Sequence, residues 1–575
     1  MTQLRVWAPL AERVGVEVGG QRSPMQAEAG GWWSAPLLPA GTDYAFVLDS
    51  GAPRPDPRSA WQPLGVHGPS RVVDHEAFPW TDDLWRGARL EGSVLYELHV
   101  GTFTEAGTFD GAIERLDHLV ELGVDAIELL PCNAFAGRWG WGYDGVAWFA
   151  VHEPYGGPDG LKRFVDACHA RGLGVVMDVV YNHLGPAGNY LPEFGPYLTE
   201  AHATPWGPAV NLDRPGSDEV RRYVFDNALM WLRDYHVDGL RLDAVHALVD
   251  ERATHLLEEL SVEVEALGAH LRKPLFLIAE SDLNDASVVT SREAGGWGLD
   301  GQWADDVHHA LHATLTGESA GYYGDFVGLP VVAKVLREVF LHDGGWSSFR
   351  ERAHGRPVPA TVPGHRFVVY LQDHDQVGNR ATGDRISATL SDGLLMVGAA
   401  LVLTSPYTPM LWMGEEWGAR TPWQFFSDHE GEIGEAVRQG RREEFAAHGW
   451  ATEDVPDPQA ESTFRASRLD WSEPEQERHA ALLRWARDLI ALRRSRPELT
   501  DGRRDRVRVA YDPDGRWIVV QRGAVGVVCN LSAERLVIPV EGTADRLLLS
   551  SAADSVISAD KVELTAESVA VLELG

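Results

Sequence analysis

From Val94 onward, short apolar runs alternate with amphipathic stretches. VLYELHV is followed by a helix from about Gly111, in which Ile113, Leu116, Leu119 and Val120 form one apolar face and Gly123 sets the end. AIELLP comes next, then a second amphipathic helix marked by Leu161, Phe164, Val165 and Cys168 and closed by Gly172. GVVMDVV follows, and residues 184–217 read as an irregular insertion rich in Pro and Gly. The helix DEVRRYVFDNALMWLRDY leads into GLRLDAV, and a helix around 251–267 leads into PLFLIAE. GLDGQWAD, FVVYLQDH and TPMLWMGEE complete a set of eight short apolar runs. Runs of this length bounded by turn residues predict fully buried parallel strands. Eight of them interleaved with helices predict an α/β protein built on a (β/α)8 TIM barrel. A doubly wound open sheet is the competing topology. It calls for a Gly-rich phosphate loop after the first strand, and LHVGTFTEAG is not one.

The flanks follow another period. LRVWAP, RVGVEV, GWWSAPL and TDYAFVLD are short strands punctuated by Pro and Gly, which predicts an N-terminal β-sandwich over residues 1–90, of the immunoglobulin-like or carbohydrate-binding kind. Residues 51–70 read as an extended crossing segment. After about Arg504 the strands RVRVAY, RWIVVQR, GVVCNL and RLVIPV predict an antiparallel β domain over 504–575, leaving 91–503 to the barrel and its insertions.

At 575 residues and 44% apolar composition, the chain is long enough for several cores and has no low-complexity stretch. Its net charge of −34 repels nucleic acid and anionic membranes, so neither is an expected partner. Acidity by itself speaks only for solubility, but the 21 Trp add a supply of indole rings, the usual platform for the apolar faces of sugars. The N-terminus lacks a basic segment followed by an apolar one, and no apolar run approaches the roughly 20 residues that span a bilayer. Cys132, Cys168 and Cys529 are too sparse for a disulfide framework, so a reducing cytoplasm is expected.

The chemistry gathers where predicted strands end. Asp243, Glu280 and Asp375 each stand at or just past the C-terminal end of an apolar run, the end that faces the mouth of a barrel. Breaking a glycosidic bond takes one carboxyl as acid and another as base or nucleophile. Asp243 and Glu280 fall on neighbouring strands about 4.8 Å apart, which allows the roughly 5–5.5 Å separation of a retaining pair. Arg241, two residues before Asp243, suits an ionised nucleophile, and the apolar run before Glu280 suits a raised pKa and an acid/base role. A lone strand-end carboxylate is more simply a helix cap; three of them together favour catalysis. DVVYNH places Asn182 and His183 at the same mouth, and RWGWGYDGV places Trp139, Trp141 and Tyr143 on a nearby loop, where rings either stack on pyranose faces or pack beneath the loop. Asp305, Asp306, His308 and His309 lack ligand spacing of the HExxH type, and no metal or cofactor is expected.

DVVYNH, GLRLDAVH, LIAES and LQDHDQVGN, in this order, resemble the four sequence regions of the α-amylase superfamily. The resemblance implies Asp243 as nucleophile, Glu280 as acid/base and Asp375 as the residue that grips sugar hydroxyls. It implies Arg241, His183, His374 and Tyr143 around the transferred sugar, and Asp144, Trp206 and His246 as further substrate contacts. DPRSAWQPLGVHGPS, YELHVGTFT, WGYDGV, GEEWGARTPWQFFSDHE and RREEF extend the likeness over nearly the whole chain to the maltooligosyltrehalose trehalohydrolase family. That likeness implies a maltooligosyltrehalose or α-1,4-glucan substrate, a trehalose product, a synthase that makes the substrate, and Glu416 and Trp417 as contacts to the trehalosyl end. Two positions depart from common superfamily patterns: Asp373 stands where Asn is frequent, and Val245-His246 stands where Lys-His is frequent. A glycogen-branching enzyme and a non-catalytic glycan-binding barrel are the alternatives; retention of all three carboxylates speaks against the second.

Overall fold

The computed structural model describes residues 3–447 and 455–575; in RREEF, the side chains of Glu444 and Phe445 lie outside the described residues. Eight parallel strands close into a barrel: β1 Leu95–Leu98, β2 Ala126–Leu129, β3 Gly174–Val179, β4 Gly239–Leu242, β5 Phe276–Ala279, β6 Gly301–Trp303, β7 Phe367–Val369 and β8 Thr408–Trp412, with β8 pairing back onto β1. All eight apolar runs of the sequence are these strands, and the open-sheet alternative falls away. The helix before β2 ends at Gly123 in the left-handed conformation (φ 97°), a backbone state that glycine adopts without a Cβ clash.

Side chains alternate along each strand. Leu95, Ala126, Val176, Phe276, Ile278, Val368 and Met410 form an apolar cluster within the barrel. Their neighbours Ile127, Leu129, Val175, Met177, Leu240, Leu242 and Leu277 join the larger core shared with the surrounding helices. Two residues past Leu95, Ala126, Val176, Gly239, Ile278, Val368 and Met410, on the same strand faces, come Glu97, Glu128, Asp178, Arg241, Glu280, Tyr370 and Trp412. The barrel is therefore filled by an apolar plug with a polar layer above it, at the C-terminal mouth.

The N-terminal strands pair antiparallel in two sheets, Gln3–Trp7 with Trp32–Pro36 in one and Val14–Val18 with Asp43–Leu48 in the other. The crossing segment docks on the barrel's outer helix Ser217–Asp234: Arg58 Nη1 meets Asp226 at 2.7 Å, and Tyr223 Oη donates to Pro57 O at 2.8 Å. Farther on, Trp85 Nε1 (2.7 Å) and His169 Nε2 (3.0 Å) both reach Asp238, the residue that precedes β4. The opposite ring nitrogen of His169 reaches Asp82 at 2.8 Å, and His236 reaches the same Asp82 oxygen. This clasp ties the segment entering the barrel to the base of the strand that carries Arg241. At the other end of the chain, Val507–Asp512, Trp517–Arg522, Val525–Asn530, Ser568–Leu574 and Ala544–Ser550 form a five-stranded antiparallel sheet.

One expectation is corrected. The 184–217 insertion contains a β-hairpin, Leu198–Thr204 paired with Gly207–Val210, rather than irregular chain. Its first strand is largely solvent-facing, LTEAHAT, so no apolar alternation announced it. Among the described residues no helix is long and apolar enough to cross a membrane.

Candidate active site

Parallel register sets the two central carboxyls side by side. Leu242 of β4 pairs with Ala279 of β5, so Asp243 and Glu280 are the next residues on adjacent strands. Arg241, fully buried, lies beneath both: Nη1 donates to Asp243 Oδ1 at 2.9 Å, and Nη2 stands 3.3 Å from Glu280 Oε2. Its guanidinium stacks on Trp303, 4.3 Å from the ring centroid, and Nη1 also reaches Asp178 Oδ2 at 2.7 Å. Asn182 Nδ2 donates to the other Asp243 oxygen at 2.8 Å. Asp243 is thereby held by two donors, with both oxygens fixed in orientation.

Glu280 has the opposite surroundings. Burial pushes its pKa up to about 8, with Asp243, Asp375 and Asp305 adding to the rise and Arg241 opposing it. Ala244 N donates to Oε2 at 2.6 Å and fixes the carboxyl's orientation. Ala244 is itself left-handed (φ 41°, ψ 50°), an unfavoured state for a residue with a Cβ, at the point where the chain leaves β4 just after Asp243. A carboxylate beside a neutral acid on neighbouring strands is the division of labour that acid-assisted glycoside cleavage needs.

Asp375 comes from the helix His374–Gly378 beyond β7, and its side chain is 40% exposed, facing the open mouth. His374 Nε2 lies 3.5 Å from it, while Nδ1 meets Glu97 at 2.5 Å. Burial disfavours the imidazolium, but Asp375 and Glu97 outweigh that and hold its pKa at about 10. Asp373, the unusual carboxyl, caps this helix by accepting from Gln376 N at 2.7 Å. Tyr143 stacks on His374 (5.1 Å, 15°) and donates to Asp178 Oδ2 at 2.6 Å. His183 bonds Asn182 and stacks on Trp206 (4.6 Å, 10°), whose indole stands 48% exposed at the hairpin tip. Asp144 is bound by His429 at 2.7 Å, and His246 lies exposed on the rim, accepting from Asp282 N at 3.3 Å. Of the two loop tryptophans, Trp141 is buried against Trp423 (5.3 Å, 17°) and Trp139 stacks on Phe464, so both pack beneath the loop.

Glu416 and Trp417 correct the expectation that they contact substrate. Glu416 is buried outside the strand wall, accepting from Tyr96 Oη at 3.0 Å and meeting His118 at 2.9 Å. Trp417 has no exposed surface and donates to Glu473 at 3.1 Å. The turn Glu415–Trp417 folds back behind β8 against the helix Glu477–Ser495, so a mouth-side position in sequence became a wall position in space. Conversely, Asp178 and Glu97 were not singled out. The signal was present: each is a lone acid inside an apolar strand, where an ionisable group needs a reason to be buried. Among the described residues, one trio could approach a cation, His202, Asp213 and Glu251. Arg214 already sits among them, 3.1 Å from His202, 3.2 Å from Asp213 and 2.8 Å from Glu251.

A closed eight-stranded parallel barrel whose mouth gathers an arginine-bridged carboxyl pair has the architecture and equipment of a glycoside hydrolase. Residues 87–196 match the family described as Alpha amylase, catalytic domain, and residues 502–571 match the Domain of unknown function DUF3459. The chain is 61% identical over 499 residues to malto-oligosyltrehalose trehalohydrolase of Arthrobacter ramosus, covering 86% of this chain and 87% of that one. It is 53% identical over 580 residues to the malto-oligosyltrehalose trehalohydrolase of Rhizobium sp. strain M-11, covering 99% and 97%. A crystal structure of a putative α-amylase from Salmonella typhimurium superposes with a TM-score of 0.91 at 37% identity, covering 99% and 97%. The chain belongs to the malto-oligosyltrehalose trehalohydrolase family, within the α-amylase class of glycosidases.

Proposed function

We propose that this protein hydrolyses the α-1,4-glucosidic bond next to the terminal trehalose unit of maltooligosyltrehalose, releasing trehalose and a maltooligosaccharide with retained configuration. The observation that carries the reading is the Asp243–Arg241–Glu280 bridge, in a chain 53% identical to a trehalohydrolase over nearly its full length.

In the first step an Asp243 oxygen attacks the anomeric carbon, and the bond to the trehalose oxygen breaks. Glu280 gives its proton to that oxygen, so trehalose leaves neutral. Arg241 and Asn182 hold the Asp243 carboxyl oriented for that attack. Glu280, now a carboxylate, takes a proton from water as the water oxygen attacks the same carbon, and Asp243 is released. Asp375 binds ring hydroxyls, with His374 beside it as a fixed cation. Tyr143, His183 and Trp206 provide a wall of rings for the sugars, and Asp144 and His246 stand at the edges of the cleft.

We assign the cleft to residues 91–503, with 1–90 and 504–575 as flanking β modules. A trehalose-terminated glucan must come from an enzyme that rearranges the reducing end of a maltooligosaccharide, so we place a maltooligosyltrehalose synthase upstream. Three buried free cysteines suit a cytoplasmic protein. Proton NMR of maltotriosyltrehalose digestion tests the mechanism: maltotriose is expected first as its α-anomer, and an initial β-anomer would rule out double displacement.

A further inference from the structure

One acid of the polar layer under the site, Glu128, has no role in the mechanism and no hydrogen bond to either carboxyl oxygen among the described residues. Glu128 lies on β2, its register partner on β1 is Glu97, and it is 1% exposed. Glu97 is engaged through both oxygens, to His374 Nδ1 at 2.5 Å and to His374 N at 3.2 Å. On β3, the next strand, Asp178 has one satisfied oxygen and one orphan: Oδ2 accepts from Arg241 and from Tyr143, whereas Oδ1 is buried without a partner. Buried carboxylates persist when paired; an unpaired one takes up a proton instead. Burial, Glu97 and Asp178 favour the neutral form of Glu128, against Arg241 and His374. The two vacant roles fit each other. A neutral carboxyl needs an acceptor for its O–H, and Asp178 Oδ1 needs a donor.

We propose that Glu128 is a positioning residue, a neutral acid that donates to Asp178 Oδ1, directly or through one water, and so keeps Asp178 ionised and Arg241 fixed beneath Asp243 and Glu280. The proposal rests on the catalytic reading above for its effect on turnover, though not for its protonation state. An ionised Asp178 anchors the guanidinium from below. With its donor removed, Asp178 gains a proton more readily, the anchor weakens, and Arg241 is free to shift between the two catalytic carboxyls.

Three enzymes are compared: wild type, Glu128→Leu and Glu128→Gln. Leu removes the donor at similar size, and Gln restores a neutral donor. Glu128→Leu is expected to lower kcat at least tenfold with KM changed less than threefold, and to move the acid limb of the pH–rate profile upward. Glu128→Gln is expected to recover both the rate and the profile. The infrared carbonyl band of a protonated carboxyl is expected to weaken in Glu128→Gln relative to wild type, whatever the substrate. A Leu variant with wild-type rate and profile, a Gln variant whose profile moves as far as that of Leu, or an unchanged carbonyl band would each overturn the proposal. Should Glu128→Leu fail to fold, the Gln profile and the infrared difference still decide. Loss of the trehalohydrolase reading would show instead as a wild type that releases no trehalose.

Discussion

Replacing Glu280 by Gln separates catalysis from stability in opposite directions. Gln keeps the shape, and its carbonyl can still accept from Ala244 N, but it has no proton to give. A positioned general acid contributes about 10²–10⁴-fold in rate, or roughly 3–5 kcal/mol of barrier, so kcat is expected to fall by that factor with KM little changed. Stability moves the other way. Burial holds the folded-state pKa of Glu280 at about 8, against an ordinary value of 4.5. Between those values the folded protein keeps a proton that the unfolded chain has lost, so wild-type stability falls as pH rises from 4.5 to 8. The gap corresponds to at most about 5 kcal/mol at pH above 8. Gln carries no such penalty. Thermal melts at pH 4 and pH 9 check this: the variant should melt close to wild type at pH 4 and higher than wild type at pH 9. Near-normal turnover in the variant, or a melting difference independent of pH, would refute the assignment of Glu280 as a buried neutral acid.

Other consequences are open to the same kind of test. In the clasp, burial disfavours the charged His169 ring, but bonds to Asp238 and Asp82 raise its pKa above the ordinary value of 6.5. Its stabilisation is therefore complete below pH 6.5 and is lost as pH rises through the folded-state pKa. His169→Gln should cost about 3 kcal/mol of stability at pH 6, with the deficit shrinking at alkaline pH; a pH-independent deficit in denaturant titrations would count against a charged ring. Trp206→Ala should remove stacking worth about 1 kcal/mol and raise KM about fivefold with kcat nearly intact, as steady-state kinetics on maltotriosyltrehalose would reveal.

The barrel was legible because its strands are buried on both faces, so every one appears as a short apolar run between glycines, prolines and polar turns. The three carboxylates were legible because a strand end at the barrel mouth is a position sequence alone can count. What sequence could not supply was direction after a turn. GEEW follows β8 as a mouth loop would, yet its turn carries Glu416 and Trp417 behind the strand wall. The hairpin presenting Trp206 was hidden for a different reason: its strands satisfy each other's backbone groups and leave LTEAHAT to solvent, so no alternation was required. The role of Asp178 is hidden in sequence because it lies inside GVVMDVV, where all the other residues are apolar, and its partners Arg241 and Tyr143 come from chain far away in sequence.

Incubation with maltotriosyltrehalose in parallel with amylose, followed by chromatography of the products, bears on the central claim most directly. Free trehalose and maltotriose from the first, with little change in the second, is the predicted result. New α-1,6 branches in amylose with no trehalose released would point to glucan transfer, and no reaction with either substrate would point to a glycan-binding barrel; both contradict the account.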